Sequence, residues 1–357
     1  MLHGGRNDLE NKTEFGGIIK YDLSVNTVKT PEFIKEALVK MAGVDGTYDY
    51  PDRLQESFKN KVAASLGCDP DQVIGGNGAS ELFCGIVRLL SPKKALLLSP
   101  SFYGYDHALK GEKDCEICYF AVSSDNDFDI TEEFLNALDE SIDMIFIANP
   151  NNPTGRIAEE KLLIKILDKC RDLNIYIVVD ECFIGFAGRD KSLVRYVDEY
   201  PNLFVVDAYT KLFGLAGVRA GYLISRKSNI ERLRLVLPEW NMSSFAIKAG
   251  EICAEKVLRG EYEKELLTKL QSNKNKAEKV FSELNIDYVE SGANFILFRY
   301  DGEKNLQEEL VKAGILIRDC TGFGGELSKG KYYRVSLSDD EGLDMFLSNL
   351  RKIVTGE

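Results

Sequence analysis

Lys211 closes the apolar run LFVVDAYTK, Asp180 closes IYIVVD, and Arg219 follows Lys211 across a Gly-rich loop. A charged group at the end of a buried strand is costly unless it is paired or hydrogen-bonded. A structural salt bridge between the lysine and the aspartate is the plain alternative. A desolvated lysine amine, however, has a lowered pKa and condenses with an aldehyde. A buried aspartate can keep the nitrogen of a heteroaromatic ring protonated, so that the ring draws electrons. GNGASEL places Gly78, Ala79 and Ser80 where a strand gives way to a helix. Free backbone amides and a hydroxyl at such a start cradle a phosphate, or simply cap the helix. The stretch is neither a Walker A loop nor G-x-G-x-x-G. Thr210 and Arg219 offer a further hydroxyl and a guanidinium to the same anion.

An aldehyde, a ring nitrogen that must stay protonated and a phosphate together describe pyridoxal 5'-phosphate, which is the expected cofactor. Phe102 in PSFYGY is placed to stack on its ring, and Asn152 in NNPTG to bond its ring hydroxyl.

These residues need a frame. KALLLSP (94–100), EICYFAV (116–122), MIFIANP (144–150), IYIVVDE (175–181), LFVVDAY (203–209) and RAGYLIS (219–225) are short, nearly all apolar runs, which predicts strands buried on both faces. Helical patterns at 79–90 and 160–173 alternate with them, so the fold class is α/β with a mainly parallel sheet flanked by helices. Ligands of such sheets sit beyond the carboxyl ends of the strands, where the polar residues above fall. From 244 to about 283 the chain turns helical, then ANFILFRY, GILIRDC, YYRVSLS and a last helix at 340–354 predict a smaller α+β domain. The expected division is an N-terminal arm that joins the small domain (1–44), a large cofactor-binding domain (45–245) and a small C-terminal domain (246–357).

Net charge is −12 and no basic block occurs, which argues against nucleic acid and anionic membranes as partners. The first thirty residues carry His3, Arg6, Asp8, Glu10, Lys12 and Glu14, unlike a secretory signal, and no apolar run is long enough to cross a membrane. Eight cysteines without framework spacing suit reduced thiols and a cytoplasmic location. Cys115 and Cys118 form a C-x-x-C, but in a strand they point to opposite faces. With only His3 and His107, a histidine zinc site or a serine hydrolase has little to work with.

GNGASE, PSFYGY, NPNNPTG, VVDECF, YTKLFGLAGVRAGY and YYRVSLS follow one another over roughly residues 20–340. In this set and order the chain resembles the class I/II aminotransferase superfamily of pyridoxal-phosphate enzymes, and within it the histidinol-phosphate aminotransferases and threonine-phosphate decarboxylases. The second likeness rests on HGG (His3, Gly4, Gly5), on Phe183 and on ILIRDC with YYRVSLS. The resemblance implies the fold-type-I architecture with a seven-stranded sheet, and Lys211 and Asp180 as catalytic residues. It implies Arg334 on the substrate carboxylate, Arg318 on a distal phosphate or other anion, and Ser24, Asn26 and Asn152 at the substrate, with Asn294 nearby. Tyr50 would reach the cofactor phosphate of a second subunit, which implies a homodimer. Ala208 stands where the family usually has a serine that bonds the phosphate, Phe183 where many members have a tyrosine, and NTVK (26–29) where NxNP is usual. The implied reaction is transamination of an amino acid or amine with a distal anion. Decarboxylation of the threonine-phosphate type is the alternative, and a catalytically weakened cofactor-binding protein the second. Presence of Lys211, Asp180, Arg219 and Arg334 together favours an enzyme.

Overall fold

The computed structural model describes residues 19–25, 28–43 and 48–356. β1 (Tyr21–Asp22) belongs with the C-terminal part of the chain. β2 (Val73–Asn77), β3 (Lys94–Ser99), β4 (Glu116–Ala121), β5 (Met144–Ala148), β6 (Tyr176–Asp180), β7 (Leu203–Ala208) and β8 (Ala220–Ser225) form a seven-stranded sheet in the order β2-β8-β7-β6-β5-β3-β4. β8 is antiparallel to both neighbours and the other pairs are parallel, so the mainly parallel sheet holds as expected.

The strands are apolar throughout because both faces are covered. In β7, Phe204 and Val206 pack with Leu82, Phe83 and Ile86 of the helix Ala79–Leu90. Leu203 and Val205 face the opposite core, with Leu163, Ile166 and Leu167 of the helix Glu160–Asp172. That core also takes the helix Ser244–Arg259, which packs on the helix Glu56–Leu66. β2 does not stand out in the sequence, since Val73 and Ile74 run into two glycines. Close packing demands them: a Cβ on Gly75 would lie 2.3 Å from Met242 Sδ, and one on Gly76 2.5 Å from Leu82 Cγ.

β9 (Phe295–Arg299), β10 (Ile315–Leu316), β11 (Arg318–Asp319) and β12 (Tyr332–Ser336) make up the rest. β11, β12 and β9 form an antiparallel sheet, while β10 pairs in parallel with β1. GILIRDC, expected as one strand, is thus divided between two sheets. A separate core gathers Phe281, Phe298, Val335 and Phe346 with Tyr21 and Leu23 of the N-terminal segment. The helical stretch from 244 is two helices, Ser244–Arg259 and Glu261–Glu283, which meet at Gly260 with φ +69°. The loop after β11 is clasped to the turn that follows β4: Glu326 accepts hydrogen bonds from the Ser124 amide (2.8 Å) and hydroxyl (2.6 Å) and from the Tyr332 hydroxyl of β12 (2.7 Å).

Cys115 lies just before the edge strand β4 and Cys118 within it; both thiols are free and half-buried, and burial pushes both pKa values up. Among the described residues no helix is long and apolar enough to cross a membrane.

Candidate active site

β6 and β7 lie side by side and bring Asp180 next to the turn that follows Ala208. That turn is the short helix Tyr209–Leu212, which carries Thr210 and Lys211. Lys211 Nζ stands 5.8 Å from the centroid of the Phe183 ring. Burial pulls its pKa down to about 8, and the Arg334 charge acts in the same direction against the nearby Asp180 carboxylate. Asp180 is only 8% exposed. Its Oδ2 accepts a 2.6 Å bond from the Tyr105 hydroxyl and its Oδ1 a 3.0 Å bond from the Cys182 amide. Burial nevertheless raises the Asp180 pKa. Tyr105 is fixed by stacking on Phe146, centroids 5.0 Å apart, and by the edge of Phe102 at 5.5 Å.

The helix Ala79–Leu90 begins at Gly78 with φ +74° and no side-chain cap. Its first amides therefore present a partial positive charge. Arg219 lies across this start. A Cβ on Gly78 would fall 2.3 Å from Arg219 Nη2, and one on Gly221 2.7 Å from the Gly78 carbonyl carbon. Only glycines permit that approach. Arg219 itself has φ +66°, an unfavourable region for a side-chain-bearing residue. Its guanidinium donates to the carbonyls of Ala216 (3.2 Å) and Asn77 (3.3 Å). Ala79 is half-buried and Ser80 exposed on the first turn. Ala208 is buried, and its amide donates to Asp207 Oδ1 at 2.6 Å.

β12 sets Arg334 directly opposite Arg318 of β11. Arg334 is 5% exposed. It donates to the Ser24 carbonyl at 2.9 Å and to Asn152 Oδ1, and its guanidinium carbon lies 5.0 Å from the Phe295 ring. Burial lowers its pKa to about 10, and the Arg318 charge adds to this. Asn152 sits in a braced loop, where Asn151 Nδ2 donates to the Pro100 carbonyl (3.1 Å) and to Thr154 Oγ1 (3.0 Å). Asn294 is fully buried and its Nδ2 donates to Ser338 Oγ at 2.9 Å.

The structure so gathers Lys211 and Asp180, Gly78 to Ser80 with Arg219, and Arg334 with Arg318, Asn152 and Ser24. Tyr50 stands apart, 81% exposed against Trp240 with centroids 4.9 Å apart. Asn26 and His3 lie outside the described residues.

A model of the class I and II aminotransferases matches residues 18–350. The chain belongs to the aminotransferase class I and II family. A threonine-phosphate decarboxylase of Salmonella typhimurium is 28% identical to it over 99% of this chain and 97% of its own. A histidinol-phosphate aminotransferase of Caldanaerobacter subterraneus is 30% identical over 94% of this chain and 93% of its own. In three dimensions the histidinol-phosphate aminotransferase of Sinorhizobium meliloti, solved with pyridoxal 5'-phosphate, superimposes with a TM-score of 0.84 at 21% identity, covering 99% of this chain and 96% of that one. As a member of this family the chain is a pyridoxal-phosphate enzyme, and its residues fit the cofactor. The uncapped helix start, the glycine that a Cβ would turn into a clash with Arg219, and the buried Asp180 beside a pKa-lowered Lys211 match its phosphate, its ring nitrogen and its aldehyde.

Two parts of this aminotransferase-family site escape a reading of the sequence. Tyr105 is one; its hydroxyl on Asp180 hides in PSFYGY, which looks like ordinary aromatic packing. The other lies at the end of β7, just before the turn that carries Lys211. Asp207, buried, accepts from the Tyr222 hydroxyl (2.6 Å) and from Arg189 Nη1 (3.3 Å), and Arg189 Nε reaches Glu263 at 2.8 Å. Its members come from four separate stretches, and no spacing signals them.

Proposed function

We propose that the chain transaminates an amino acid or amine that carries a distal phosphate or comparable anion. The observation behind this is the pairing of Arg334 and Arg318 on adjacent strands, close enough for the Arg334 charge to act on Lys211. Two guanidiniums side by side suit a substrate with two anionic ends. Bound pyridoxal 5'-phosphate supplies an electron sink for the pair left on the substrate α-carbon. Gly78, Ala79, Ser80, Thr210 and Arg219 hold its phosphate, Asp180 its ring nitrogen, Asn152 its ring hydroxyl and Phe102 its face. Arg334 fixes the carboxylate and Arg318 the distal anion, with Ser24 and Asn26 at the entrance. The Lys211 amine, titrating near 8, takes and returns a proton at the α-carbon close to neutral pH.

Decarboxylation is the second reading, and one observation favours it: the Salmonella decarboxylase aligns along nearly the full length of both chains. Purified protein given O-phosphothreonine, which carries both an α-carboxylate and a distal phosphate, with and without a 2-oxo-acid acceptor separates the two. Acceptor-dependent carbonyl product supports transamination. Carbon dioxide released without an acceptor overturns it in favour of decarboxylation.

We further propose a homodimer in the cytoplasm, with Tyr50 of each subunit at the other's cofactor phosphate. Tyr48 and Tyr50 are 88% and 81% exposed and Trp240 43%, an aromatic surface suited to burial against a second copy. Eight free cysteines suit a reducing compartment. Sedimentation as a monomer, or a Tyr50→Phe variant with unaltered cofactor affinity, would sink the shared site.

A further inference from the structure

Phe183 and Phe295 form a wall, edge to face with centroids 5.2 Å apart. One side of it bears the site: Lys211 Nζ lies over Phe183 and the Arg334 guanidinium over Phe295. Phe186 and Ala293 belong to the same cluster, and they line a cleft of about 530 Å³ elsewhere on it. That volume is within the roughly 300–1,000 Å³ of small-molecule sites.

The cleft lies on a seam. The Gly292 amide donates to the Gly155 carbonyl at 2.8 Å. A Cβ on Gly155 would lie 2.1 Å from Ser291 Oγ, and one on Gly292 2.2 Å from Ile157 Cδ1. Gly155 ends the same NNPTG loop that presents Asn152 to Arg334. Anything wedged into the seam therefore presses both on the aromatic wall and on the Asn152 loop.

Its charged lining is unbalanced, with Arg156, Lys191 and Lys274 against Glu290 alone. Arg156 is held in a fork by Asp129, at 2.7 and 2.6 Å. The two ammonium groups are pinned to the cleft wall itself: Lys191 donates to the Ala187 carbonyl at 3.0 Å and Lys274 to the Ser291 carbonyl at 2.9 Å. An ammonium has three donors, so each keeps hydrogen-bonding capacity beyond that carbonyl; for Lys274 the nearest carboxylate, Glu278, is 3.8 Å away. Glu290 is 78% exposed and lies 4.0 Å from Arg156 Nη1. Phe186, Leu270, Ala293 and Leu337 supply an apolar floor.

We propose that this cleft binds a small organic anion, an apolar body bearing a phosphonate, phosphate or sulfonate, and that its binding alters the Lys211–Arg334 side of the wall. Binding is read without substrate, so the proposal stands or falls separately from the choice of reaction. The test is calorimetric titration of the cofactor-loaded protein with phenylphosphonate, beside a Lys191→Ala/Lys274→Ala variant and with benzyl alcohol as the neutral probe. Wild type is expected to bind phenylphosphonate at least about tenfold more tightly than the variant and than it binds benzyl alcohol. Saturating probe is expected to slow deuterium exchange at the amides of 183–188 in wild type and not in the variant. Because neither lysine touches the catalytic groups, both proteins should turn over equally without the probe. Equal affinity of the two proteins, equal affinity for the neutral probe, or unchanged exchange at 183–188 overturns the proposal.

Discussion

A lysine that titrates near 8 in the folded chain and at 10.5 when solvated ties function to stability. Between those values the folded state has released a proton that the unfolded chain still holds. The unfolded state binds more protons, so stability rises with pH across this window. Thermal melts of cofactor-free protein should show Lys211→Met gaining least, relative to wild type, at the alkaline end. Capture of the cofactor needs the neutral amine, so its rate should rise with pH to a plateau with a midpoint near 8. In Arg334→Gln the midpoint should move up, because a charge that holds it down is gone; stopped-flow absorbance checks this. Tyr105 acts through Asp180. Tyr105→Phe keeps the stack on Phe146 and removes one charge-assisted bond, so cofactor affinity should fall by about tenfold or more, measured by equilibrium dialysis. Lys211 and Asp180 were legible because each puts a charge at the end of an apolar run, whereas Arg334, in the middle of β12, was legible only through the resemblance of YYRVSLS to a family motif. Tyr105 and the Arg189–Asp207 pair were not, because a buried hydroxyl or ion pair is defined by its partner in space.

Among the elements, the start of the helix Ala79–Leu90 is the most exposed to a single atom. Gly78→Ala puts a methyl where Arg219 lies and asks an L-residue to hold φ +74°. Affinity for pyridoxal 5'-phosphate should drop by about tenfold, while pyridoxal, which has no phosphate, should bind as before. Equal losses for both would show that the damage is to the fold and not to the anion site. The buried strands of the sheet were legible from their apolar runs, since residues covered on both faces leave a continuous hydrophobic signal. Strand direction was not, because β8, antiparallel to both its neighbours, is as apolar as the parallel strands of the sheet. Nor was the break in GILIRDC: Ile317 separates β10 from β11 without any glycine or proline to announce it.

At the scale of the molecule, the Glu326 clasp holds the loop after β11 against Ser124. Although burial opposes it, the bonds from Ser124 and Tyr332 keep the Glu326 pKa below the usual carboxylate value. A carboxylate shifted down contributes fully above its ordinary pKa and is lost as pH falls through the folded one, so the clasp should loosen in acid. Glu326→Ala should raise KM by about tenfold with kcat less affected, read from initial rates. The arginine beneath that loop has a further dependence. Arg334 is held by the carbonyl of Ser24, 310 positions earlier in the chain. A ribosome must deliver β12 before the two can meet. A nascent chain stalled after β8 has Gly78, Asp180, Lys211 and Arg219 in its sequence, but neither the helix Ser244–Arg259 that packs on the helix Glu56–Leu66 nor Arg334. On the proposed role of Arg334, the substrate carboxylate can thus be held only once nearly the whole chain has been made.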